Sequence, residues 1–353
     1  MKRIPLRSDL RALSGYHSPQ VDVPVRLNTN EAPYAPPVAW LEEVAAVARD
    51  LDWNRYPDRV AAELRKGIAA LHGVSADQVL VANGSNEVLQ SVLLAYSGVG
   101  RNVTMFSPTY QMHAQIARVV GATVVEGVRN ADFTLDPREI ERVVTESQPA
   151  VSFICSPNNP TGTVEPRENI EVMLAVAPGV VVVDEAYAQF SPWSALELVN
   201  DDTPLVVTRT FSKTWSMAAA RLGYLIGPRW LVADMEAVLL PYHLDAFKQR
   251  AGLLALKFVG EMESRVRDIV AGRDVITAAF DRLPVTWWPS GANFVLFRPE
   301  SMSGRAVWQG LLDRGVLVRD CSSWAGLGDC LRVTVGTVEE NETFVTALKE
   351  VLA

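Results

Sequence analysis

The chain has 353 residues, 48% hydrophobic and 21% charged, enough for a sizeable core and about two domains at ~150 residues each. Its 33 Lys and Arg against 41 Asp and Glu give a net charge of −8, which argues against nucleic acid or an anionic membrane as the main partner. The start has no apolar signal core, and nowhere do ~18 apolar residues run without a charge or proline, so a cytoplasmic protein is expected.

Residues 1–45, proline- and asparagine-rich at the outset, are read as an N-terminal arm that joins a C-terminal unit. Amphipathic helical spacing follows at Val38–Asp50 and Arg59–Leu71. Short β-branched runs then predict strands at Gln78–Ala82, Asn102–Phe106, Thr123–Glu126, Ala150–Cys155, Val180–Asp184, Leu205–Thr208 and Gly223–Ile226. Helical patterns lie between them at Asn86–Tyr96, Gln111–Val120 and Pro166–Val176. Strand alternating with helix implies crossover connections. The expected fold class is therefore α/β, with a large domain over 46–265 built on a mostly parallel seven-stranded sheet flanked by helices. Val180–Asp184 is so apolar that it suits a strand buried on both faces.

Residues 243–281 read as one long connecting helix. Beyond it, strands at Asn293–Phe297, Val316–Val318 and Leu331–Val335 with helices at Gly304–Arg314 and Val338–Leu352 predict a smaller α+β domain over 266–353. Cys155, Cys321 and Cys330 make no Cys-x-x-Cys pair, and His17, His72, His113 and His243 have no metal-ligand spacing, so neither disulfides nor a metal is expected. The absence of Gly-x-Gly-x-x-Gly disfavours a nicotinamide-dependent oxidoreductase.

In an open parallel sheet, ligands bind beyond the carboxyl ends of the strands, so the residues just after each run carry the chemistry. These are Asn83-Gly-Ser-Asn-Glu87, Ser156-Pro-Asn-Asn-Pro-Thr-Gly162, Asp184-Glu-Ala-Tyr187, and Arg209-Thr-Phe-Ser-Lys213 followed by Arg221. Singly, each admits an ordinary reading as a turn, a helix cap or a solvated lysine. Jointly they bring a carboxylate, a lysine, an arginine, amides and a helix start to one rim.

With these motifs the sequence resembles the fold type I pyridoxal-phosphate aminotransferases over Leu27–Leu352. Within them it is most similar to the histidinol-phosphate aminotransferases, through Leu27-Asn-Thr-Asn-Glu-Ala-Pro-Tyr34, Asn54-Arg-Tyr-Pro-Asp58 and Val318-Arg-Asp…Cys330-Leu-Arg-Val-Thr-Val-Gly-Thr337. The resemblance implies that Lys213 holds pyridoxal 5'-phosphate covalently and moves the Cα proton. It implies that Asp184 binds the pyridine nitrogen, that Tyr187 and Asn159 bind the phenolic oxygen, and that Tyr110 stacks on the ring. Ser85, Asn86, Thr210, Ser212 and Arg221 would hold the phosphate, with Tyr56 reaching it from the neighbouring subunit of a homodimer. Arg332 and Arg319 would bind the substrate's anionic group, and Tyr16 and Asn30 would close the arm over it.

The implied reaction converts histidinol phosphate and 2-oxoglutarate to imidazole-acetol phosphate and glutamate, in histidine biosynthesis. An aromatic amino-acid aminotransferase is the alternative suggested by nine tryptophans, although Trp287, Trp288 and Trp324 are read here as packing. A threonine-phosphate decarboxylase is suggested by Cys321-Ser-Ser-Trp-Ala-Gly-Leu327. A non-catalytic regulator on the same fold would need a DNA-binding unit, for which the arm is too short. The arm also departs from the family pattern, reading Glu31-Ala-Pro where Asn commonly precedes the proline.

Overall fold

A run such as Val180–Asp184 has no polar face to offer water. The computed structural model, which describes residues 4–11, 13, 15 and 21–353, buries it completely near the middle of a seven-stranded sheet. In chain order the elements begin with β1 (Val25–Leu27), α1 (Val38–Asp50), α2 (Ala62–His72), β2 (Val79–Ala82), α3 (Ser85–Tyr96), β3 (Asn102–Ser107), α4 (Met112–Val119) and β4 (Thr123–Val128). There follow α5 (Pro137–Ser147), β5 (Val151–Cys155), α6 (Arg167–Val176), β6 (Val180–Asp184), β7 (Leu205–Thr210), β8 (Gly223–Ile226) and α7 (Arg229–Val238). The large sheet has the order β2-β8-β7-β6-β5-β3-β4. Its strands from β7 through β4 pair in parallel, and β8 runs antiparallel to both β7 and β2. Strand alternation divides the run between two cores: Val180 and Val182 pack on one side with Val88 and Met105, Val181 and Val183 on the other with Ile140 and Ile170.

The chain continues with α8 (Ala246–Ala255), α9 (Val259–Phe280), β9 (Val285–Trp287), β10 (Phe294–Pro299), α10 (Gly304–Asp313), β11 (Val316–Asp320), β12 (Leu331–Thr334) and α11 (Val338–Leu352). A second sheet has the order β1-β11-β12-β10-β9. Only its β1–β11 pair is parallel, and it is the arm that supplies β1. The expected single helix over 243–281 is two helices, broken by a 3₁₀ turn at Leu256–Phe258. No proline marks that break, although Gly260 follows it at the start of α9; Leu256 and Phe258 pack into the core that holds α1, α2 and α8, so tertiary contact contributes to the bend. The residue 45/46 and 265/266 boundaries fall inside α1 and α9. Elements not anticipated are β1, α5, α7 and β9. Among the described residues no helix is long and apolar enough to cross a membrane.

The carboxyl ends of β2, β3, β5, β6 and β7 share one rim, and the antiparallel β8 begins there. Gly223 opens β8, level with Ala82 at the end of β2 and Thr210 at the end of β7. A Cβ on Gly223 would stand 2.3 Å from the Ser85 nitrogen and 2.5 Å from the Gly84 carbonyl carbon. Those are backbone atoms of the first turn of α3, which cannot rotate aside. Gly223→Ala should therefore destabilise the fold by about 1–3 kcal/mol, as overpacking does, read as a lowered urea midpoint. An unchanged midpoint would show that α3 is not fixed by this approach.

Candidate active site

Between the rim of the large sheet and the face of the second sheet lies a cleft of about 870 Å³, open to solvent at its mouth. It gathers Lys213, Asp184, Ser85, Asn86, Tyr110, Asn159, Tyr187, Thr210, Ser212, Arg221, Asn30 and Arg332, all singled out from the sequence. Three others stand apart. Arg319 does not line the cleft, Tyr56 is 81% exposed and does not line it either, and Tyr16 lies outside the described residues.

Asp184 ends β6 with 2% exposure. Its Oδ1 accepts from the Ala186 N–H at 3.2 Å, and its Oδ2 lies 2.9 Å from His113 Nε2. His113 is fully buried, stacks on Phe153 at 4.6 Å, and has no partner for Nδ1. Where the carboxyl group is ionised it can only accept, which in that state assigns the donor role to Nε2. The histidine thereby orients Asp184 toward the cleft. The sequence reading missed it, for a lone histidine in the helix α4 gives no signal of a partner 71 residues away.

Lys213 Nζ donates to the Thr29 carbonyl of the arm at 3.1 Å and lies 5.8 Å from the centre of the Tyr187 ring. Burial lowers its pKa to about 7, helped by the Arg332 and Arg221 cations and opposed by Glu31. The side chain keeps a sliver of exposure to the cleft, so the amine is deep yet reachable. Tyr187 is pushed the other way, above its ordinary value, chiefly by burial. It remains a phenol, accepting from Asn30 Nδ2 at 2.9 Å. Asn30, at φ 55, also bonds Thr334 through backbone and side chain, stitching the arm across the cleft.

One end of the cleft is a cradle of donors. The helix α3 starts at Ser85 behind Gly84 (φ 82) with no side-chain cap. A Cβ on Gly84 would meet Arg221 Nη2 at 2.9 Å, so glycine lets the guanidinium close on the helix start. Arg221 Nη1 donates to Ser212 Oγ at 3.2 Å, and Thr210 Oγ1 donates to Ser212 Oγ at 3.0 Å. Uncapped N–H groups, two hydroxyls and a guanidinium make an anion site suited to phosphate. Tyr110 stands over it, its hydroxyl 3.2 Å from Asn86 Oδ1.

The other end holds Arg332, 5% exposed, whose guanidinium binds only neutral acceptors in the bonds seen: Asn159 Oδ1 and, at 3.1 Å, the Asn28 carbonyl. Its Nε has no partner. Arg319 is its opposite residue across β11 and β12, buried under Trp324 with the guanidinium carbon 5.7 Å from the indole centre. Trp287 and Trp288 do pack, the first donating to Asp281 at 3.0 Å, the second tilted against Phe133. Trp324 differs from the expectation, because it lines the cleft.

The sequence profile described as aminotransferase class I and II matches residues 22–348. The chain is 44% identical to the histidinol-phosphate aminotransferase of Frankia casuarinae, over 99% of this chain and 90% of that one. It is also 44% identical to the histidinol-phosphate aminotransferase of Thermobifida fusca, over 98% and 95%. The fold matches histidinol-phosphate aminotransferase from Sinorhizobium meliloti in complex with pyridoxal-5'-phosphate, with a TM-score of 0.89 at 21% identity, covering 98% of this chain and 97% of that one.

An amine with a pKa of about 7 is a free nucleophile where ordinary lysines are ammonium ions. In reductive methylation of the cofactor-free protein with formaldehyde, followed by peptide mass spectrometry, the Lys213 rate should level off just above pH 7. Exposed Lys66, held above the ordinary lysine value by its Glu63 partner, should still be gaining rate at pH 10. A Lys213 profile like that of Lys66 would refute the depressed pKa.

Proposed function

The chain belongs to the class I and II aminotransferases, and from that premise we propose that it transfers the amino group of histidinol phosphate to 2-oxoglutarate, using pyridoxal 5'-phosphate. The products are imidazole-acetol phosphate and glutamate, a step of histidine biosynthesis in the cytoplasm. The carrying observation is the pair of cationic ends on either side of Lys213 and Asp184. One suits the cofactor's phosphate, and the other, at Arg332, suits the anionic group of a substrate.

The residues fit the cofactor. The uncapped start of α3, Arg221, Ser212 and Thr210 would hold its phosphate, with the missing Cβ of Gly84 letting Arg221 lie against that start. Asp184, oriented by His113, would hold the pyridine nitrogen in its protonated form. Asn159 and Tyr187 would bind the phenolic oxygen, and Tyr110 would cover the ring face. When bound, the cofactor supplies an electron sink for the carbanion formed at the substrate's reacting carbon. Lys213 would anchor it and, as a free amine, would move the proton at that carbon. A pKa near neutrality suits both duties. Arg332 orients the substrate through a planar fork that phosphate and carboxylate can each use. This lets one site take histidinol phosphate and glutamate in turn.

A shared-site homodimer belongs to the same reading. Its support is an apolar patch: Tyr56 stacks on Tyr242 at 4.5 Å, with Trp53 70% and Leu240 76% exposed nearby in sequence. In the dimer Tyr56 would reach the partner's cradle.

Half-reactions followed by cofactor absorbance test the substrate. The kcat/KM should be highest for histidinol phosphate, and Arg332→Ala should lower it and the glutamate value by about ten- to a hundredfold, as losing charge-assisted bonds of ~1.5–3 kcal/mol implies. Preference for phenylalanine, or CO₂ release from threonine phosphate, would replace this reading. Co-refolding Tyr56→Phe with Lys213→Ala should give heterodimers in which one site is wholly native and retains cofactor on dialysis. Retention no better than in Tyr56→Phe alone would remove Tyr56 from the site.

A further inference from the structure

The cleft has a neighbour. A second chamber of about 950 Å³ adjoins it, and Tyr110, Gln111 and Trp324 border both. The chamber's lining is mixed, with Ser107, Gln115, Arg118 and Glu126 beside Met105 and Ala114. Glu126 is already engaged there, accepting from Ser107 at 2.5 Å and from Arg118 at 3.3 Å.

Trp324 is held as a fixed wall. Its backbone N–H donates to the Cys321 carbonyl at 2.9 Å, its own carbonyl accepts from the Leu327 backbone N–H at 3.0 Å, and its side chain packs against a small core of Cys321, Leu327 and Cys330. The Arg319 guanidinium lies over the indole, and Arg319 faces Arg332 across the strands. The indole therefore stands one side chain from the substrate's anion site. A substrate with its anionic arm on Arg332 and its reacting carbon at Lys213 has one arm left, and this wall and chamber lie beside it.

We propose that Trp324 determines the choice of amino donor, its indole stacking against a flat unsaturated ring on that remaining arm at the mouth of the chamber. This rests on the proposed function and names the part of the substrate read there. The preferred ring is an imidazole, because its N–H can use the chamber's acceptors whereas a benzene ring gains only the stacking. Glutamate, with no ring, does not depend on the wall. The packing expected of this tryptophan from sequence describes its back, and the substrate would use its front.

Calorimetric titration of the holoenzyme isolates the ring without turnover. Imidazolylpropyl phosphate, which lacks the reacting amine, is compared with propyl phosphate, and phenylpropanoate with propanoate. In the wild type the ring should improve binding by about tenfold, the scale of aromatic stacking plus ring burial. Trp324→Ala should reduce the gain below twofold while leaving the ring-free ligands unchanged, and Trp324→Phe should keep most of it. An undiminished ring gain in Trp324→Ala overturns the proposal. So does an equal loss for ringed and ring-free ligands, which would mean that Trp324 merely orders the anion site. If neither alkyl phosphate binds the wild type, the phosphate reading at Arg332 fails. The ring is then decided by the carboxylate pair alone, where the same loss supports the role of Trp324 and its absence refutes it.

Discussion

Three basic groups share the cleft with a single carboxylate: Lys213, Arg221 and Arg332 against Asp184. The protein as a whole carries a net charge of −8, so this excess is local, created by burial rather than composition. Burial first, and the two guanidinium groups second, favour the neutral form of Lys213, a relief closed to arginine, which cannot deprotonate. What relief remains must come from anions, and the two guanidiniums sit at opposite ends of the cleft, so two anions can enter without meeting.

Holding that arrangement requires stiffness beneath it. Asp184 and Glu185 are consecutive at the end of β6, so their side chains leave on opposite sides. While Asp184 faces the cleft, Glu185 accepts from Arg209 at 2.8 and 3.1 Å, from Ser194 at 2.7 Å and from the Ala195 N–H. This buried pair ties β6 to β7, the strand that leads to Thr210, Ser212 and Lys213. On the flank, Arg129 pairs with buried Glu165, whose N–H donates to Ser156 Oγ at 3.0 Å. That contact steadies the loop bearing Asn159. Outside the cleft, Glu185 and Glu165 are thus each matched by an arginine.

How far the sequence could be read follows from where information is local. Val180–Asp184 displays its own double burial, and residues after such runs must fall on one rim, which is how Lys213, Asp184 and Arg221 could be grouped before any coordinates. The helix α5, which the strand-and-helix pattern above does not include, carries equally local signals, with Asp136 capping, Pro137 at its first position, and Ile140, Val143 and Val144 on one face. Other features have no local sign. The His113–Asp184 contact and the tie from Lys213 to Thr29 both arise from chain segments distant in sequence. Trp324 was invisible as a cleft residue for a different reason: a tryptophan beside buried cysteines looks like packing, and half of it is.

The helix α9 belongs to both cores. Met262 lies in the cluster with α1, α2 and α8, whereas Ile269, Ile276 and Phe280 lie in the cluster of the second sheet. Val266, between them, packs against each. No surface can be drawn between the two sheets without cutting a hydrophobic core. Their stabilities are consequently not separable quantities: melting either sheet strips apolar cover from a helix that the other needs. The two layers stand or fall as one cooperative unit, and the cleft between them inherits the stability of the whole chain.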